Sequence, residues 1–183
     1  MSFNLKSAVL ALLLLLALAG TASAQQEGET HSNPDWEHYA FDLDYVNDAG
    51  GLSFEELARS NKPFVLVWWL TNCQLCKMQM PYVQELNDSI REHELELYLV
   101  SINIDDRERD CRSYLAESGL SIPVLWDMHG RRTDKGYGLK ELGTPVTYVF
   151  GAGGEFIDTI TGYKPGYSEA VLKLLDIPVP DEK

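Results

Sequence analysis

Residues 64–70, Phe-Val-Leu-Val-Trp-Trp-Leu, are apolar without a break, and residues 95–104 are dominated by Leu, Val, Ile and Tyr. Runs of this length without polar alternation read as strands buried on both faces. Shorter stretches at 122–126, 146–150 and the more polar 155–161 read as further strands, the last two joined by the hairpin signature Gly151-Ala152-Gly153-Gly154. Between the long runs, residues 73–92 and 107–117 follow a helical pattern, and 168–175 forms a closing amphipathic helix. Pro81 lies inside the first of these and is expected to kink it. Asp105-Asp106 is expected to cap the second, which Gly119 stops. Upstream, residues 39–45 alternate as a short strand and Asp48-Ala49-Gly50-Gly51 makes a turn. Ser53 with Glu56 three residues on is a capping box for a short helix, ended by Asn61-Lys62-Pro63. Residues 128–143 read as loop with weak helix. The order strand, helix, strand, helix, strand, hairpin, helix predicts an α/β domain. Its central mixed sheet is flanked by helices.

The first residues have a different character. Residues 8–19 are continuously apolar, too short to span a bilayer comfortably, with Lys6 before them and Ala22-Ser23-Ala24 after. That is the pattern of an export signal over 1–24, so an exported protein is expected, with a bacterial periplasm as the expected compartment. An uncleaved membrane anchor is the other reading. No cysteine adjoins the cleavage site, so a lipoprotein is not expected. Residues 25–38 read as a flexible lead-in, 39–177 as one domain and 178–183 as a tail. The formal charge is −13 at pH 7, which excludes nucleic-acid binding through phosphate contacts. Three cysteines are too few for a disulfide-stapled miniature fold.

Cys73 and Cys76 stand where the apolar strand gives way to the helix. A thiol at a helix N-terminus meets unpaired backbone N–H groups and the positive end of the dipole, which favour thiolate. The thiolate attacks disulfides, and a spacing of three lets the two cysteines bridge each other. A static structural disulfide is the plainer reading of the same pair. Zinc wants four ligands, and the chain has no second C-x-x-C and no H-x-x-x-H. Met78 and Met80 suggest soft-ligand Cu(I) binding, but residues two apart on a helix face different ways, so both are expected to pack in the core. Cys111 reads as a small buried residue, with a free thiol or an intermolecular disulfide as alternatives. His31, His38, His93 and His129 are scattered without ligand spacing. No metal and no cofactor are expected.

The strand and turn FVLVWWLTNCQLC, the helix proline Pro81, and GLSIPVLWDMHGRRTDKGYGLKELGTPVTYVFGAGGEF with its Gly143-Thr144-Pro145 together resemble the exported TlpA/ResA branch of thioredoxin-like thiol–disulfide oxidoreductases. The resemblance covers about residues 42–176. It implies a thioredoxin-like fold and a cis peptide bond before Pro145. It also implies that Thr144 and Pro145, with Asn72 beside Cys73, bind an extended substrate peptide. Cys73 is then the attacking thiol and Cys76 the resolving one. The implied partners are a disulfide-bearing protein and a membrane-bound electron donor. The implied setting is cytochrome c maturation or reduction of metal-site thiols. Three positions depart from the pattern. Asn72 stands where an aromatic residue is common. Val67 and Gln79 stand at the two places where these proteins keep an acid for the second cysteine. Those departures predict a slower or more specialised reductase; two rivals stay open beside it, a Cu(I) carrier on Cys73 and Cys76, and a binding module of the same fold without redox activity.

Overall fold

Unbroken apolar strands need cover on both faces, and the computed structural model provides it. It describes residues 36–105 and 107–180; the expected leader at 1–24, most of the lead-in and the end of the tail lie outside the described residues. In chain order, α1 (Trp36–Tyr39) leads to β1 (Asp42–Asp44), β2 (Gly51–Ser53) and α2 (Phe54–Arg59). Next come β3 (Phe64–Trp69), α3 (Gln74–Glu92), β4 (Tyr98–Asn103), α4 (Glu108–Ser118) and β5 (Val124–Trp126). A 3-10 turn (Met128–Gly130), α5 (Asp134–Tyr137) and α6 (Leu139–Leu142) precede the hairpin β6 (Val146–Phe150) and β7 (Phe156–Thr161), and α7 (Tyr167–Leu174) closes the chain. The main sheet has the order β5-β4-β3-β6-β7. β3, β4 and β5 are parallel, while β6 and β7 run antiparallel. This is the mixed sheet that the element order predicts.

β3 is central because every one of its residues is buried. Alternate side chains enter opposite cores. Val65, Val67 and Trp69 pack with Cys76, Met80 and Val83 of α3 and with Val171 and Leu172 of α7. Phe64, Leu66 and Trp68 pack with Phe54 and Leu57 of α2 and with Tyr137, Tyr148 and Phe150. The Phe64 and Phe150 rings stack 4.8 Å apart. The capping box forms as expected: Glu56 N–H donates to Ser53 Oγ (3.2 Å) and Ser53 N–H to Glu56 Oε2 (2.8 Å).

Three expectations need correction. Ordered packing starts before Tyr39, because the Trp36 indole N–H donates to the Gly153 carbonyl (3.0 Å), which anchors α1 to the hairpin. The strand expected over 39–45 shrinks to β1, paired with β2 in a separate two-stranded ribbon. Asp105 does not cap α4. The N-cap is Arg107, without a side-chain cap bond, and Asp106 lies outside the described residues.

A buried polar chain locks the loop after β5 to the central strand. The Trp68 indole N–H donates to Thr133 Oγ1 (2.9 Å), whose own hydroxyl donates to Asp127 Oδ2 (2.8 Å). Asp127 is buried, and also accepts the backbone N–H groups of Arg132 (3.1 Å) and Thr133 (3.0 Å). Asp127→Ala strands these donors away from water. It is expected to cost about 2 to 4 kcal/mol of unfolding free energy. Urea titration checks this, and a loss below about 0.5 kcal/mol, the range of ordinary surface changes, would refute the role of the network.

Candidate active site

The sheet register decides what meets Cys73. β6 runs antiparallel to β3 with Val146 opposite Trp68, so the residues before β6 lie against the turn that leaves β3. Those residues are Thr144 and Pro145, joined by a cis peptide bond. The structure therefore brings together four positions singled out in the sequence: Cys73, Cys76, Thr144 and Pro145.

Cys73 is the N-cap of α3. Its sulfur accepts the Cys76 N–H (3.2 Å), and its S–H points at the Thr144 carbonyl oxygen (3.5 Å). Cys73 is half-buried, whereas Cys76 has no exposed surface. Both thiols are free. Burial above all, and then the hydrogen bond with Cys73, push the Cys76 thiol up to about 12. Hydrogen bonds from the Leu70 backbone and the Thr144 side chain act in the opposite direction. Thr144 thus meets the Cys73 sulfur through its carbonyl, and its side chain favours the Cys76 thiolate. Pro145 is buried, Thr144 half-buried, and Asn72 exposed in the turn.

The turn is held from below by a carboxylate. Asp105, buried beyond the end of β4, accepts the Thr71 N–H (3.1 Å) and the Asn103 side-chain amide (3.1 Å). Its own N–H donates to Asn103 Oδ1 (3.1 Å), and the Trp126 indole donates to its carbonyl (3.0 Å). The ends of β3, β4 and β5 are joined this way. The sequence signal was an Asn-x-Asp at a strand end, which reads equally well as a helix cap.

The two positions without an acid are both filled. Val67 belongs to the core facing α3. Gln79 is buried one turn after Cys76, and its Oε1 accepts the Lys164 N–H (2.7 Å). That bond fixes which end of the amide is which. Its Nε2 is buried with no partner among the described residues. Gly162 N–H donates to the Pro145 carbonyl (2.8 Å), so residues 162–164 lie along both the cis-proline loop and α3.

Met80 packs in the core as expected, but Met78 is exposed, so the expectation that both pack inside fails for Met78. The two methionines flank no common point. Cys111 is buried in the same core as Cys76. Burial, followed by the charges of Asp105 and Glu108, pushes its thiol up to about 12. His38 and His129 are exposed and His93 half-buried, while His31 lies outside the described residues. Among the described residues there is no group of three His, Cys, Asp or Glu side chains placed to hold a metal ion.

The chain is similar to proteins already described. A thiol–disulfide oxidoreductase ResA of Halalkalibacterium halodurans is 27% identical over 117 residues, covering 64% of this chain and 64% of the relative. The chain therefore matches a little under two thirds of that protein's length. A thiol:disulfide interchange protein of the thioredoxin family from Chlorobium tepidum is similar in structure, with a TM-score of 0.59 at 17% identity, covering 74% of this chain and 92% of that one. A secreted disulfide oxidoreductase of Mycobacterium tuberculosis superposes with a TM-score of 0.61 at 16% identity, covering 75% and 96%. The fold is thioredoxin-like. The description of the AhpC/TSA family matches residues 37–157, a span that runs from α1 through both cysteines and the cis-proline loop into β7, and the chain belongs to that family.

Proposed function

We propose that the protein is an exported thiol–disulfide oxidoreductase that reduces disulfides in partner proteins. The observation that carries this reading is the unequal pair. Cys73 caps α3 at the surface with an N–H on its sulfur, and Cys76 sits buried behind it. Cys73 attacks a substrate disulfide as thiolate, forms a mixed disulfide and expels the substrate's other thiol. Cys76 then attacks Cys73 Sγ, the reduced substrate leaves, and a Cys73–Cys76 disulfide remains. Two electrons pass to the substrate, and a membrane-bound donor restores the dithiol. Thr144 and Pro145 support an extended peptide beside Cys73, with Asn72 at its rim. Support for the activity comes from the ResA relative, and support for export from the leader-like residues 1–24. Maturation of c-type cytochromes, or reduction of metal-site thiols, is the use this reading assigns.

Cys76→Ser removes the resolving thiol. Expressed in the native compartment, that variant should accumulate a mixed disulfide through Cys73, and mass spectrometry of the captured adduct identifies the substrate. The Cys73→Ser variant should capture nothing. Absence of any adduct on Cys76→Ser would overturn the proposed activity.

A further inference from the structure

The chain is strongly acidic, yet the surface around Cys73 is not. Residues 64–84 contain one charged side chain, Lys77; residues 142–154 contain none; residues 159–168 contain only Lys164. The structure brings parts of these three segments to Cys73, with Asn103 and Asp105 beneath the turn. Lys77 is exposed one turn along α3, about 6 Å up the helix axis from Cys73. Lys164 is exposed and tied through its backbone to Gln79, about 9 Å up the same axis. Neither lysine makes an ion pair among the described residues, whereas Lys62 and Lys140 are paired to Glu96 and Asp134. Among the described residues, acids stand at the margins of this face. Asp105 is buried under the turn and hydrogen-bonded, and Glu141 lies on α6, before the cis-proline loop.

Apolar surface is exposed on the same face. Leu75 is 46% exposed, Met78 41% and Leu142 41%. The first two lie on the opening turns of α3, and the third directly precedes Gly143. Acidic side chains gather at the other end of α3, where Glu85, Asp88 and Glu92 line an open groove. Glu85 is twelve residues from Cys73, about 18 Å along the helix. Charges act over about 10 Å at 0.1 M salt, so Lys77 and Lys164 govern the field at Cys73 and the distant acids do not.

We infer that the partner segment docking at Cys73 is an extended stretch whose cysteine is flanked by carboxylate side chains and by an apolar residue. The carboxylates face Lys77 and Lys164, and the apolar side chain covers Leu75 and Met78. The acidic remainder of the surface repels the rest of such a partner and leaves this face as its landing place. The inference rests on the proposed attack by Cys73.

The test uses the full chain carrying Cys76→Ser and two short peptides. Each holds one cysteine as a mixed disulfide with thionitrobenzoate; Glu flanks the cysteine in one and Lys in the other, and both contain the same Leu. Cys73 thiolate attacks the peptide sulfur, the bond to the chromophore breaks, and thionitrobenzoate leaves with the electron pair and is read by its colour. At about 0.1 M ionic strength the Glu peptide should react about threefold to tenfold faster, the range expected of two exposed charge pairs. Adding Lys77→Glu and Lys164→Glu should reverse the preference. Adding Lys173→Glu instead, on α7, should leave it unchanged. Equal rates, or a faster Lys peptide, overturn the inference and leave the activity standing. An adduct with neither peptide overturns the attack by Cys73 itself.

Discussion

Release of substrate from a mixed disulfide on Cys73 is expected to accelerate about tenfold for each unit of pH between 6 and 9. Resolution requires Cys76 as thiolate. In the dithiol, burial above all and then the contact with Cys73 push that thiol up to about 12; burial persists in the mixed disulfide, so near neutral pH only a small fraction is ionised. Far below its pKa, a thiol gains a factor of ten in thiolate for each unit of pH, and the rate follows. The Leu70 and Thr144 hydrogen bonds moderate the shift without cancelling it. Acid quenching after rapid mixing of reduced protein with a disulfide peptide, followed by mass spectrometry, separates the mixed disulfide from its products. A release rate that is flat across that range would mean that a neighbouring group removes the Cys76 proton. The buried thiol would then not limit turnover.

The same physics explains what the sequence could and could not reveal. β3 and α3 were legible because their signals are local: an unbroken apolar run, then a helix opened by the first cysteine. The Ser53–Glu56 box and the glycine hairpin were legible for the same reason, since each is made within a few residues. α1 was not legible. Residues 25–38 look polar, and the bond that ties Trp36 to Gly153 reaches 117 residues along the chain. Asp105 was misread because capping α4 and holding Thr71 place the same demand on a carboxylate, and the closeness of the β3 and β4 ends decides between them. The charge character of the Cys73 face was likewise hidden. Lys164 reaches the site through the Gly162–Pro145 and Lys164–Gln79 bonds, and no local pattern foretells either. Met78 and Met80 show the converse, since two residues on one helix already differ in facing by more than a right angle, enough to expose one and bury the other.

Gln79→Glu should speed that release at pH 7 by at least about tenfold, at a stability cost of about 1 to 3 kcal/mol. Gln79 lies one turn beyond Cys76 on the same buried face of α3. Its Oε1 is occupied by the Lys164 N–H, a bond that a carboxylate oxygen preserves. Its Nε2 is a donor without a partner among the described residues and has no lone pair to receive the thiol proton. Replacing that nitrogen with oxygen creates a proton acceptor one helical turn from a thiol that ionises reluctantly. Placed general bases contribute about 10² to 10⁴ in favourable cases, and a buried carboxyl that is partly protonated at pH 7 delivers the lower part of that range or less. The cost arises because a carboxylate leaves water for the core side of α3. Both effects should appear together: a faster release with a shallower pH slope by quench and mass spectrometry, and a lower urea midpoint. If the variant keeps its fold and releases substrate no faster, the Cys76 proton departs by another route. The Thr144 side chain, which favours the Cys76 thiolate, would then be the group to replace next.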